Sequence, residues 1–151
     1  MRHLSRRAAL ALGAGSAALT LVGWGEGALA TPKDAADDIA KFTGGKTAEQ
    51  GKITIELPEI AENGNTVPLA VSVESPMTAA DHVTDVLVVA DGNPRPGVAT
   101  FHFTAMSGKA EASTRIRLAT TQNIVAIAKT STGKIYTAQK LVKVTIGGCG
   151  G

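Results

Sequence analysis

The chain has 151 residues, a formal net charge of +2 and a single cysteine. That length fits one domain with a core of its own. One cysteine excludes an internal disulfide framework and a zinc site built from several thiolates, and 3% aromatic residues are too few for a surface that stacks single-stranded bases.

The first element in chain order is an address. Arg2, Arg6 and Arg7 flank or precede an uncharged stretch of Ala, Leu and Gly over residues 8–22, and Ala28-Leu29-Ala30 has the small-x-small form of a signal-peptidase site. The apolar run is too short and too rich in glycine to span a membrane. Ser5-Arg6-Arg7-Ala8-Ala9-Leu10 looks like a twin-arginine signal, with Ala9 where Phe is common. Residues 1–30 are therefore expected to be a cleaved export signal and the destination a bacterial periplasm. Cleavage after Ala30 removes Arg2, Arg6, Arg7 and Glu26, and with them the whole formal +2 and the only tryptophan, Trp24. The mature protein is formally neutral, so its charge points neither to nucleic acid nor to acidic substrates. No membrane association is expected once the signal is gone.

Residues 31–146 read as one β-sandwich carrier domain with a helical lead-in. Thr31 can cap a helix, Pro32 suits its first turn, and Asp34 sits where the helix dipole favours a negative charge. Ile39 and Phe42 fall on one face, and Gly44-Gly45 end the segment. So short a helix must dock on something to persist. From residue 53 the pattern turns to period two. Ile53, Ile55 and Leu57 alternate with polar residues, as do Val67, Leu69, Val71 and Val73 after the Asn63-Gly64 turn. Pro68 indicates an edge strand or a strand start. Val86 to Val89 is a continuous apolar run, as in a strand buried on both faces, and Asp91-Gly92-Asn93-Pro94 is a dense turn signal. Phe101 and Phe103 share a face opposite His102. Ala110 to Leu118, Ile124 to Thr130 and Ile135 to Ile146 complete about seven strands. The fold class expected is all-β: an immunoglobulin-like antiparallel sandwich, with a small barrel as the alternative. No helical period recurs after residue 45, which argues against a parallel α/β sheet.

The familiar catalytic signatures are absent: there is no phosphate-binding P-loop, dinucleotide fingerprint, zinc-protease helix or nucleophile elbow. No catalytic, cofactor-binding or metal-binding residues are predicted. His82 and His102 stand apart in sequence and read as strand-face histidines with local hydrogen bonds. Arg115 and Arg117 share a polar strand face, more in keeping with a solvated or interface surface than with an oxyanion site. Met77 and Met106 read as packing or loop residues.

The terminus is unusual. The chain closes Gly147-Gly148-Cys149-Gly150-Gly151 directly after the strand pattern. Glycines have no side chain to pack and are costly to fix, so residues 147–151 are expected to be a flexible arm that holds its sulfur in solvent. Five extended residues reach roughly 17 Å at about 3.4 Å each, with a cross-section thin enough to follow the sulfur into another protein's pocket. A thiol in water titrates near about 8.5, and the tail offers no cation to activate it. This suits a group to be carried rather than a nucleophile that does its own chemistry. Two other readings stay open: a secreted structural or interaction sandwich whose Cys149 makes an intermolecular disulfide, and a thiol-based metal carrier, for which one cysteine without neighbouring ligands is poor equipment.

Several stretches together resemble a known family. They are Asn63-Gly64-Asn65-Thr66-Val67-Pro68, Ser75-Pro76-Met77-Thr78, Asn93-Pro94, Thr114-Arg115-Ile116-Arg117-Leu118-Ala119 and Val142 through Gly151. The chain is similar through residues 33 to 151 to SoxY, the Y subunit of the SoxYZ carrier of the Sox thiosulfate-oxidation system, and the terminal Gly-Gly-Cys-Gly-Gly is the most specific part of the match. The resemblance implies a periplasmic sulfur carrier with an immunoglobulin-like fold, paired with SoxZ as a heterodimer. It implies that Cys149 is the covalent sulfur attachment point and that Gly147, Gly148, Gly150 and Gly151 form its arm. It further implies that the c-type haem enzyme SoxAX loads thiosulfate sulfur. The dimanganese hydrolase SoxB would then release sulfate, and SoxCD, where present, would oxidise the remaining sulfane sulfur. Haem and manganese belong to those partners, and the carrier has no cofactor of its own.

Overall fold

The computed structural model describes residues 32–148. The expected signal over residues 1–30, and Cys149, Gly150 and Gly151 of the arm, lie outside the described residues. Helix α1 runs Pro32–Thr43. Nine strands follow: β1 Glu49–Gln50, β2 Ile53–Glu56, β3 Ile60–Ala61, β4 Val67–Val73, β5 Val83–Ala90, β6 Gly97–His102, β7 Ala110–Ile116, β8 Gln122–Thr130 and β9 Ile135–Val144.

They form two sheets. The larger has the order β1-β9-β8-β5-β6, with β3 also on β9; the smaller is β2-β4-β7. The period-two residues face each other between them. Val67, Leu69, Val71 and Val73 of β4 meet Val86, Val88 and Ala90 of β5, Ile124, Ala126 and Ala128 of β8, and Tyr136 and Val142 of β9 in one core. This is the sandwich that the alternation predicts, closed by burial of about 1.5–3 kcal/mol per large aliphatic side chain.

The continuous apolar run in β5 has a second explanation. Leu87 and Val89 point to the opposite face, where they form a separate cluster with Ala35 of α1, Ile127 and Ile135. Ile39 and Phe42 of the helix pack on the same cluster, as their spacing predicts. Gly44 and Gly45 stop the helix with φ of 63° and 77°, a conformation that costs glycine least.

Two short strands escape the sequence pattern. β1 pairs in parallel with Tyr136 and Thr137 at the start of β9, and β3 with Lys143 and Val144 at its end. Between them the chain crosses to the small sheet as β2 and returns. The first crossing is made at Gly51 and Lys52, with φ of 113° and 59°. Near the return, Lys140 Nζ donates to the Leu57 carbonyl at 2.8 Å.

Of the two readings of Pro68, the strand start holds: it is the second residue of β4, the central strand of its sheet. It is tolerated because β2 accompanies β4 only from Val73 to Ala70, so Pro68 has a partner only in β7, at Arg115. β9 ends earlier than its alternation suggests, at Val144 rather than Ile146. Thr145, just past it, still donates its backbone N–H to Ala61 O at 3.1 Å, the last bond of the parallel pairing with β3. No helix among the described residues is long and apolar enough to cross a membrane.

Candidate functional site: the root of the C-terminal arm

The strand that leads to the terminus is gripped on both sides as it ends. On one side, Lys143 N–H donates to Glu59 O at 2.9 Å, and Thr145 Oγ1 donates to Glu62 O at 3.0 Å. On the other, Val144 N–H donates to Thr121 Oγ1 at 2.9 Å.

Beyond it the backbone enters a seat formed by two loops. Gly64 N–H donates to Ile146 O at 2.7 Å, Leu118 N–H to Gly64 O at 2.7 Å, and Gly148 N–H to Leu118 O at 2.8 Å. Gly64 follows Asn63, whose Oδ1 accepts from Asn65 N–H at 2.9 Å and closes the turn. Leu118 follows β7 and is fully buried. Three segments far apart in sequence thus share one small backbone network.

The glycines are required by this closeness. A Cβ on Gly64 would lie 2.2 Å from Leu118 O, one on Gly147 would lie 2.1 Å from Ala119 O, and one on Gly148 would lie 2.8 Å from Gly64 O. None of these fits. Of the four glycines expected to form the arm, Gly147 and Gly148 are among the described residues: both lie close against neighbouring backbone, and Gly148 is buried. Their missing side chains serve close approach of backbone to backbone. In the sequence Cys149 directly follows Gly148.

The seat itself is braced from behind by polar side chains. Asn93, 2% exposed, donates from Nδ2 to Arg117 O at 2.8 Å and accepts at Oδ1 from Ala119 N–H and Gln122 Nε2, both at 2.9 Å. Gln122 Oε1 accepts from Gly92 N–H at 2.8 Å. Every buried side-chain nitrogen and oxygen among the described residues has a partner, as buried polar groups require.

Four of the five stretches that carry the family resemblance therefore converge. The Asn63 turn, the Asn93 turn, Arg117-Leu118-Ala119 and the segment entering the arm bond to one another. The fifth, around Met77, lies apart and puts a buried methionine into the core from a backbone with φ of 49°.

The remaining candidates have local roles. His82 Nδ1 is 2.9 Å from Thr78 O, and His102 Nδ1 is 2.6 Å from Asp85 Oδ1. Arg115 is exposed and donates to Thr66 Oγ1 at 3.4 Å. The exposed Arg117 enters the network through its main chain. Met77 is core and Met106 is 97% exposed. Among the described residues no three His, Cys, Asp or Glu come together in a way that could hold a metal. Sequence reasoning missed Asn93 and Gln122 as braces. The turn signal at Asn93-Pro94 was visible, but its partners lie more than twenty residues away.

The family model for the sulfur oxidation protein SoxY matches residues 39–149. Among solved structures, the sulfur carrier protein SoxY from Chlorobium limicola f thiosulfatophilum is 36% identical, with a TM-score of 0.64, and the alignment covers 77% of this chain and 100% of that one. Superoxide reductase (neelaredoxin) from Ignicoccus hospitalis is 20% identical over 77% of this chain and 94% of its own, with a TM-score of 0.57. Superoxide reductase from Nanoarchaeum equitans is 14% identical over 64% and 100%, with a TM-score of 0.54. The last two likenesses are of fold alone. Among curated proteins no sequence matches the chain.

Proposed function

The chain belongs to the SoxY family of sulfur oxidation proteins, and on that premise we propose that it is a periplasmic carrier which holds sulfur intermediates of thiosulfate oxidation covalently on Cys149. The observation that supports this most is the root of the arm. The sandwich closes around Gly147 and Gly148, which directly precede Cys149 in the sequence. The family match also runs to residue 149.

In this reading the chain performs no chemistry alone and serves as a protein-bound substrate. Loading joins the outer sulfur of thiosulfate to Sγ of Cys149. The thiol proton is released, and two electrons pass to a c-type haem enzyme, SoxAX in this system. Water then attacks the terminal sulfonate at the dimanganese hydrolase SoxB. The sulfur–sulfur bond to the sulfonate breaks, sulfate leaves, and a persulfide remains on Cys149. SoxCD, where present, oxidises that sulfane sulfur further. The carrier keeps the sulfur covalently attached throughout and needs no resident cofactor. SoxZ is its heterodimer partner. A twin-arginine signal fits such a pair, because that route carries folded protein across the membrane.

The test is Cys149→Ser in the reconstituted system. It should abolish thiosulfate-dependent sulfate formation and remove sulfur adducts from the intact mass of protein purified without reductant. Sulfate formation at the parent rate in that variant would overturn the proposal.

A further inference from the structure

Residues 117–119 follow the end of β7, and their backbone groups are bonded on two sides. Here the two sides have different work. The carbonyl of Arg117 and the N–H of Ala119 point to one side and are both held by Asn93. The N–H and carbonyl of Leu118, between them, point to the other side and bond Gly64 and Gly148. Asn93 is buried and also holds Gln122. Both of its side-chain polar atoms bond this segment.

We infer that Asn93 is a positioning residue for the arm: by fixing residues 117–119 from behind, it presents Leu118 and Ala119 as a rigid seat for Gly147 and Gly148, so that Cys149 leaves the sandwich from one defined point. The inference rests on Cys149 being the carrier residue and deepens that reading. Its physical content is that the seat sets where the reach of the arm begins. With Gly148 seated, that reach begins no earlier than Gly148. With the seat loosened, it starts several residues earlier, and partner enzymes meet the sulfur over a wider range of positions. A pre-organised exit lowers the ordering cost of docking, so loosening it should raise KM for loading more than it lowers kcat.

The test uses the mature, isotopically labelled protein. Amide hydrogen exchange reads the Gly148, Leu118 and Gly64 N–H groups directly, and Val88 in the buried middle of β5 reports the sandwich as a whole. In the parent the Gly148 amide should be protected. Asn93→Ala should cut its protection by about tenfold, more than any loss at Val88, and raise KM for thiosulfate loading by a similar factor. An unprotected Gly148 amide in the parent overturns the inference. So does an Asn93→Ala variant with unchanged Gly148 protection and unchanged loading.

If Asn93→Ala does not fold, Gly148→Ala decides, since its change lies beyond the last strand. Lost protection at Leu118 and Gly64 with raised KM supports the seat, and parent values for both exclude it. Cys149→Ser run alongside separates the two levels. Sulfate formation without Cys149 removes the carrier reading. Dependence on Cys149 with indifference to Asn93 and Gly148 removes this inference alone.

Discussion

Gly148 and Leu118 are joined by a backbone hydrogen bond of 2.8 Å across thirty positions of sequence. Leu118 is at the same time bonded to Gly64, so one buried residue ties the chain's last described turn to a loop between β3 and β4. The arm begins as an extension of the sandwich's own bonding and not as a loose tail.

Gly64→Ala should therefore destabilise the fold. Its Cβ would stand 2.2 Å from Leu118 O and 2.7 Å from Gly148 N, and backbone atoms on both sides would have to move. A loss of about 1–3 kcal/mol is expected for such overpacking, seen as a lower urea midpoint with unchanged slope. Gly108→Ala is the contrast. Its surroundings are open and its φ is 73°, so its smaller cost comes from conformation alone. Equal costs at the two sites would contradict the close-approach account.

The two-sided burial of the large sheet predicts a coupling pattern. Ile124 and Ile127 are both fully buried on β8, but Ile124 faces the small sheet and Ile127 faces α1. Each change to Ala should cost about 2–5 kcal/mol by equilibrium unfolding. Combined with Ile39→Ala on the helix, Ile127→Ala should show an interaction of about 0.5–1 kcal/mol, and Ile124→Ala essentially none. Coupling to Ile124 instead would put the helix on the wrong face.

Most of this architecture is legible in the sequence because it follows from local period. Local pattern places seven of the strands, one of them through the unbroken run at Val86–Val89, which also announces a covered outer face. Ile39 and Phe42 supply the cover. What alternation cannot show is which strands meet. The strands at Glu49 and Ile60 are two residues long and exist only because β9, more than eighty residues later, offers its edge at both ends. Pro68 is legible in part: the strand-start reading places it, second in β4, but where β2 stops beside it no local signal gives. The arm is the clearest case. Glycine at 147 and 148 reads as freedom from sequence alone, and only the nearness of Ala119 O and Gly64 O reveals that it is fit. Asn93 reads as a turn residue and proves also to be a brace, since its partners at 117, 119 and 122 lie beyond any local window.

Export offers a prediction on the expected signal. Helix α1 is described from Pro32, and Ala35 is already buried against the sheet. Cleavage after Ala30 would thus fall one residue before the start of α1. N-terminal sequencing of exported protein should begin at Thr31. Arg6→Lys combined with Arg7→Lys should hold the protein in the cytoplasm if the twin-arginine route is used. Undiminished export of that double variant would instead indicate the general secretory route.

The lone thiol separates the carrier from a cross-linking module. A module joined through Cys149 would be mainly a disulfide-linked species in the periplasm, and reduction would be needed to free it. A carrier must keep its sulfur available, so most of the protein should run as a single chain without reductant. Its intact mass should show the free thiol or added sulfur, changing when thiosulfate is supplied. The seat bears on this outcome. Gly148 is held by Leu118 and directly precedes Cys149, so two copies could bring their sulfurs together only by placing those ends of the sandwiches close to each other. Gly148→Ala, which loosens the root, should therefore raise the cross-linked fraction under air oxidation relative to the parent. A parent protein that is almost wholly cross-linked when freshly isolated, and inert to thiosulfate, would favour the module and end the carrier reading.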